Sequence, residues 1–535
     1  MYNSARKAGP LIIVLGLVVM VIAIIHSLTV STSGPPGRSF RLGLMGQALT
    51  LDPVLLDTHA DKLAASSMYE SLLCFDDKTH SLIPGLAYNW GYAKDGRSVV
   101  FSLKGNVYFH NGKRMTAEDV RQSWEKAVKT VPDQAVYRLF ENITGVDEYV
   151  NGSTDSIIGL KVIDAYTIRV YLDKRDSSFV YKIINPAFWI VDTGDPVQIP
   201  AGTGPYKLAA FDPQKGLLVH LNRGYHGQKP AITSLQFILY PDAAEGLKAY
   251  KTGQLDYLDS IPLEEVDKLA GDKSLGRLIK EPVLGFYAIA MNVRDSPFNQ
   301  MEFRRSLSYG IDRDLLIKSV MGGVGKSAKG LLPIGIRGYN RALQGYSYNP
   351  ETADELLNET TYLDVVNPQT LRLTYNEDPG HKKMMEAVQS QLETMGINIL
   401  TVPVPWKDFQ TKATAMNYSF FRFGWEADYP DIDNFLYPLF HSSQIGVTNL
   451  TGYSNPMVDR LLDQARAQTS STSKRIQLLR KAEQIIIDDA PMIWLFQKEA
   501  VKLVAPDVQG FEMDGMEMID WSGLSFRESG TKKAS

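Results

Sequence analysis

Apolar residues recur along this chain with two periods, every second position in short runs and every third or fourth in longer ones, and the two kinds of run alternate. The pattern is clearest in the carboxy-terminal half. Residues 371–376 (LRLTYN) read as a strand. Residues 381–395 follow as a helix, with Met385, Val388, Leu392 and Met395 at helical spacing until Gly396 stops it. Residues 397–404 are then a strand, 407–416 a second helix, and 420–425 (FFRFGW) a short aromatic strand ending at an Asp/Pro turn. A repeated strand–helix unit predicts a mostly parallel α/β sheet. Two long polar–apolar helices, 455–468 and 473–488, precede a strand over 492–497.

The amino-terminal half is more broken. Residues 40–44 predict a strand and 60–73 an amphipathic helix ending at a Cys-Phe-Asp-Asp turn. Residues 83–90, 98–103 and 107–111 look like extended segments joined by Gly, Asn and Asp turns. Thr116 and Asp119 form a capping-box pattern opening a helix to about residue 129, and Tyr137 follows in a loop. Residues 165–172 read as a strand, and 235–240 and 256–258 as strands flanking a helix. The stretch 202–208 (GTGPYKL) lacks the third glycine of a dinucleotide loop and reads as a turn before a strand. GGVGKS at 322–327 has Val320 where a phosphate loop needs its first glycine, so it is a flexible loop. Asp312 and Asn349-Pro350 are good helix starts.

At 535 residues, 44 % hydrophobic, the chain needs two or three cores. A net charge of −4 gives no reason to expect nucleic acid. Arg6 and Lys7 precede an uncharged run over 8–30, apolar from 11 to 25 apart from Gly16, which reads as a signal peptide or a membrane anchor with the amino terminus in the cytoplasm. Ser31 and Ser33 suit cleavage, and both outcomes stay open. Residues 31–39 form a linker. The sole cysteine, Cys74, lies too deep for a lipid anchor and permits no internal disulfide.

The window richest in recognition chemistry is 419–438 (SFFRFGWEADYPDIDNFLYP). The strand 420–425 would carry Trp425 and Asp428 at its carboxyl end, where open α/β sheets bind ligands. Gly424 lacks a Cβ, so an extended peptide could approach it as an added strand, and Asp428 would then meet the peptide's amino group. A plainer reading makes Gly424 a kink, Trp425 core, and Asp428, Asp431 and Asp433 turn formers. The glycine of a calcium loop is missing. Gly-x-Ser-x-Gly, His-Glu-x-x-His and a Cys-His nucleophile context are missing too, which argues against an enzyme.

The motif Gly-Trp-x-x-Asp-Tyr at 424–429, with VYFHNGKRMTAEDVRQSWEKAV, AIAMNVRDSPFNQMEFRRSLSYGID, the Gly-x-Tyr element of 202–208, and Ala249, Gly253 and Asp256 in A-x-x-x-G-x-x-D, resembles the peptide/nickel-class (family 5) extracellular solute-binding proteins of ABC importers, most of all their oligopeptide and dipeptide binders. The resemblance runs from about residue 40 to 524. It implies an α/β, bilobal periplasmic-binding-protein fold with mixed sheets in two hinged lobes and an extra subdomain, preceded by one hydrophobic helix. Lobe I would comprise 40–70, 195–285 and 500–528, the subdomain 71–194, and lobe II, with the ligand clamp, 286–499.

The implied function is capture of di- or oligopeptides outside the cytoplasmic membrane, as a periplasmic or anchored monomer, and delivery to permease subunits, with no enzymatic activity, cofactor or metal. A nickel complex, haem, an oligosaccharide or a tethered sensing role are the alternatives. Within the site Asp428 would pair with the ligand's α-amino group and Gly424 to Glu426 would offer backbone groups. Trp406 and Trp425 would line side-chain pockets, Arg422 and His381 would neutralise the carboxylate, and Tyr137 would lie near the ligand. A solvated surface charge competes for Arg422, and a simple helix-start position beside Lys382 and Lys383 competes for His381.

Overall fold

Two long strands, Arg277–Met291 and Met492–Val504, run side by side through the middle of the protein. The computed structural model describes residues 38–130, 134–194, 199–362 and 370–527. The chain separates into two units, Met1–Ser39 and Phe40–Ser535. The expected signal or anchor, residues 1–30, lies outside the described residues, as does most of the linker. Among the described residues no helix is long and apolar enough to cross a membrane.

The main sheet has eleven strands, in the order Ile399–Val404, Leu371–Asn376, Phe420–Glu426, Arg277–Met291, Met492–Val504, Tyr257–Leu258, Phe40–Met45, Ser234–Tyr240, Gly216–Leu221, Tyr206–Asp212, with Lys326–Ser327 added beside Met492–Val504. It is mixed, as the resemblance implies, and the repeated strand–helix unit forms a parallel part of it. Leu371–Asn376 lies parallel to Ile399–Val404 and Phe420–Glu426, where helices cross between them. Arg277–Met291 lies antiparallel to both of its neighbours, Phe420–Glu426 on one side and Met492–Val504 on the other.

The long pair is in register from Arg277↔Val504 to Pro282↔Glu499, breaks, and resumes at Phe286↔Gln497. Pro282 has no N–H to give, and a bulge next to it bends the strands. The boundaries expected at 285/286 and 499/500 fall inside these strands, beside that break. A separate antiparallel sheet, Ala87–Tyr92, Ser98–Leu103, Thr167–Tyr171 and Leu160–Asp164, packs on the helix Ala117–Thr130 through Phe101, Val120, Trp124 and Ile168. The buried Trp124 indole donates to the Phe188 carbonyl at 3.0 Å.

Other boundaries moved for local reasons. The helix expected over 60–73 is His59–Ser66, opened by a Thr58/Asp61 capping box and closed where the Ser66 and Ser67 hydroxyls bond back to Leu63 and Ala64. Leu73 instead starts the strand Leu73–Asp76. The run 83–90 is split at Gly85, where a Cβ would stand 2.6 Å from the Ser71 carbonyl oxygen, into Ser81–Pro84 and Ala87–Tyr92. Residues 107–111 hold only a bridge from Tyr108 to Arg114. Lys326 and Ser327 of the expected flexible loop pair with Gln497 and Phe496. Tyr137 stands in the helix Gln134–Phe140, not in a loop.

Candidate functional site

The strand Phe420–Glu426 alternates strictly. Phe421 and Phe423 join a core with Phe286, Phe435 and Trp494, while Phe420 packs on the opposite side with Leu373 and Met385. Arg422, Gly424 and Glu426 share the Phe420 side, and Trp425 stacks beside Phe423 on the other. The neighbour Arg277–Met291 pairs with all seven residues, but Leu371–Asn376 pairs only with Phe420 and Phe421. Among the described residues, no strand covers that second edge from Arg422 onward.

Past the strand end the chain turns through Ala427 and Asp428 and re-enters the core at Tyr429. The Ala427 N–H donates to the Leu284 carbonyl at 2.8 Å, which ties this turn to the bulge of the long strand. The Asp428 N–H donates to Asn434 Oδ1 at 3.0 Å, and Asn434 Nδ2 donates to Asp428 Oδ2 at 3.3 Å. From the other wall, Asn185 Nδ2 donates to the Asp428 carbonyl at 2.9 Å. Tyr429 is buried in the core of the separate antiparallel sheet, and its hydroxyl donates to Asp433 at 3.0 Å.

Asp428 borders two cavities. The larger, about 480 Å³, is walled by Glu426, Ala427 and Asp428, by His59, Lys62, Tyr69 and Glu70, and by residues 514–522. The smaller, about 60 Å³, lies between Asp428, Trp425, Arg138 and Tyr437. A cavity of the larger size is within the range of small-ligand pockets.

Carboxylates dominate the larger cavity. Asp428 is exposed, yet the protein packed beside it raises its carboxyl above the ordinary range, and the Asn434 amide and the Lys62 and Arg138 charges pull it back. Burial pushes Glu70 up to about 7 against the hydroxyls of Thr203 and Tyr225. It pushes Asp514 up to about 7 as well, against the Met518 and Met516 N–H groups. Enclosure would raise Glu426 too, but its ion pair with Lys498 outweighs that and holds it below the usual range. Such a lining suits a positively charged ligand group.

The other expected residues are distributed as follows. Arg422 and His381 meet through Tyr287: the guanidinium lies over the ring at 5.0 Å, and the hydroxyl stands 3.0 Å from His381 Nδ1. Burial pushes His381 down to about 4, reinforced by Arg422, so it is neutral near pH 7 and Arg422 carries the charge there. Arg422 Nε is buried without a partner. A Cβ on Gly424 would meet Arg422 Nη2 at 3.4 Å, so the space above the glycine borders that guanidinium. Trp406 opens the helix Trp406–Thr414, is 53 % exposed and stacks on Phe409, and it lines neither cavity. Tyr137 lines neither cavity and donates to the Asp147 carboxylate, while its neighbour Arg138 lines the smaller one.

Asp431 and Asp433 are not simple turn formers. Asp433 takes two bonds from the half-buried Arg466, at 2.9 and 2.8 Å, and Asp431 is bound by Arg475 at 2.8 Å, with both aspartates and Arg475 buried. Among the described residues no His, Cys, Asp and Glu cluster is arranged to hold a metal. The sequence reading missed His59, Lys62, Glu70, Asn185, Asn434 and residues 514–522. Only Asn434 carried a signal, as a polar residue in an apolar helix six positions after Asp428.

Comparison with known proteins gives a consistent picture. The family model for bacterial extracellular solute-binding proteins, family 5 middle, matches residues 81–447. The chain is 26 % identical to the dipeptide-binding protein of Escherichia coli K12, over 96 % of this chain and 97 % of that protein. It is 28 % identical to the oligopeptide-binding protein OppA of Bacillus subtilis 168, over 83 % and 84 % respectively. In fold it is similar to the unliganded open form of the periplasmic murein tripeptide-binding protein MppA, with a TM-score of 0.79, 24 % identity, and 92 % of this chain and 99 % of that chain covered.

Proposed function

Because this chain belongs to the bacterial extracellular solute-binding proteins of family 5, we propose that its larger cavity captures di- or oligopeptides outside the cytoplasmic membrane and that the loaded protein delivers them to the permease subunits of an ABC importer. The family is one of binders, not of enzymes. The relatives' printed names, dipeptide- and oligopeptide-binding protein, support the peptide reading. The observation that carries it is Asp428: an exposed carboxylate on a cavity wall that takes a hydrogen bond from one amide, Asn434 Nδ2, just past the end of a strand whose outer edge is open beyond Phe421.

The ligand's ammonium group pairs with Asp428, and its backbone runs along Gly424 to Glu426. Trp425 shapes the small cavity for the first side chain, Arg422 supplies the cation for a ligand carboxylate, and Trp406, His381 and Tyr137 act from the periphery. Lobe I (40–70, 195–285, 500–528) and the subdomain 71–194 close on lobe II (286–499) by bending at the register break beside Pro282, with the protein working as a monomer. Closure removes water and so strengthens the Asp428 pair. Truncating one side of such a desolvated pair costs roughly 2–5 kcal/mol.

The test is calorimetric titration of free and N-acetylated peptides into wild type and Asp428→Asn. Wild type should prefer the free amine and the variant should not; equal binding of both ligands by both proteins overturns the proposal. Mass spectrometry of ligand released by denaturing protein purified from its host identifies the natural cargo.

A further inference from the structure

Asn434 is 1 % exposed, and its amide is fixed by its surroundings. Its Oδ1 faces two obligatory donors, the Trp425 indole N–H at 3.2 Å and the Asp428 backbone N–H at 3.0 Å. That leaves Nδ2, a pure donor, to point at Asp428 Oδ2. One side chain therefore sets the Trp425 ring, the Asp428 main chain and the Asp428 carboxylate together. Asn185 is fixed in the same way, since its Oδ1 accepts the Ala187 N–H at 3.0 Å and its Nδ2 must point to the Asp428 carbonyl.

These two amides stand 249 positions apart by their numbers and meet on one residue, Asp428. The segment that bears Asn185 belongs with the core that also encloses Tyr429, the residue after Asp428. Asp428 is thus gripped at its carboxylate from its own segment, and at its carbonyl from the segment that bears Asn185.

We propose that Asn434 and Asn185 are positioning residues for amine capture: Asn434 holds the Asp428 carboxylate at the larger cavity, and Asn185 completes that geometry by fixing the Asp428 carbonyl. This rests on the reading that Asp428 takes the ligand's amino group. The sign of Asn434's effect is defined. Its N–H favours the charged carboxylate, so removing it, or placing an anion there, moves Asp428 protonation to higher pH.

The test uses the full chain and a random tripeptide pool, half of it N-acetylated. Captured species are counted by mass spectrometry from about pH 4 to about pH 8, the range that brackets carboxyl titration. Asn434→Asp is the main variant, because it keeps the oxygen for both N–H donors and turns only the Nδ2 donor into an oxygen. The expected result is a free-to-acetylated capture ratio reduced about tenfold near pH 6, with its acid limb moved up by about one unit, the effect of a like charge at hydrogen-bond distance. Asn185→Ala should lower the ratio by a smaller factor at every pH without moving the limb. Melting temperature establishes that each variant is folded, and Asn434→Gln should restore part of the ratio by returning a donor.

If Asp428→Asn abolishes the free-amine preference while Asn434→Asp keeps both the wild-type ratio and its acid limb, the positioning role is wrong and the amine reading stands. Should Asp428→Asn itself keep the preference, the amine reading fails and takes this inference with it.

Discussion

Three aspartates within six residues meet opposite fates. Asp431 and Asp433 are buried and bound by Arg475 and Arg466, so their charges are spent inside the protein. The Asp428 carboxylate takes one amide N–H, from Asn434, and borders a cavity, while the Asn185 amide holds its backbone carbonyl. A carboxylate saturated by a guanidinium has nothing left for a ligand, whereas one held by a single neutral amide keeps its charge for a cation. The difference between scaffold and site here is the choice of partner, not of residue.

The strongest way to break this contrast is to strip a scaffold aspartate of its partner. Arg466→Met leaves the fully buried Asp433 with only the Tyr429 hydroxyl, and stranding a buried charge costs about 3–5 kcal/mol. Burial raises Asp433, yet Arg466 outweighs it and holds the carboxyl below the ordinary range. For a depressed acid the stabilisation is complete above the unfolded value, about pH 4, and fades as pH falls through the folded one. Denaturant melts of the variant should lose stability near pH 7 and lose that acid dependence. Unchanged stability would mean that the pair is not what secures this segment.

Asp428→Asn should do the reverse, with stability within about 1 kcal/mol of wild type but free-amine affinity weaker by roughly 2–5 kcal/mol, read by calorimetry. A large stability loss would place Asp428 with its scaffold neighbours.

How much of this was legible from residues alone follows from local density of signal. The strand and helix periods of 371–426 were readable, as was the one window that holds Trp425 and Asp428. The lower halves of the long strands were not, because RLIKEP and EAVKLV mix charges into a half-covered sheet and break the alternation. The cavity wall 514–522 has no periodicity at all and is shaped by turns such as the Asp514 carboxylate accepting from Met516 and Met518. Asn185 acts on a residue 243 positions away, a pairing that only the folded chain creates.

Glu483 sharpens the comparison as a carboxyl with neither guanidinium nor cavity. It is 1 % exposed, its Oε2 has no partner, and burial pushes it up to about 8 against the nearby Arg480. A raised acid binds its proton more tightly folded than unfolded. The folded state therefore loses stability as pH rises from about 4.5 to about 8. Glu483→Gln should be flat over that range and more stable than wild type by about 1–3 kcal/mol above it. Parallel curves for the two proteins would show that the carboxyl is already solvated.

The smallest effect belongs to the Glu426–Lys498 pair on the cavity rim, whose side chains are 65 % and 38 % exposed. Solvent screening caps such a pair at about 1 kcal/mol, so Lys498→Met should barely move a melting curve. It should still be visible in binding. Without the lysine, Glu426 becomes a second unpaired anion beside Asp428, and the two share the space into which a ligand ammonium would come. A peptide with a second cation near its amino terminus should then gain affinity over one without, by a few-fold at low salt, and the gain should shrink as salt is added. If instead the variant binds both peptides alike at every salt concentration, Glu426 faces away from the ligand, and the anionic character of the cavity rests on its other carboxyls, Asp428, Glu70 and the 514–522 wall among them.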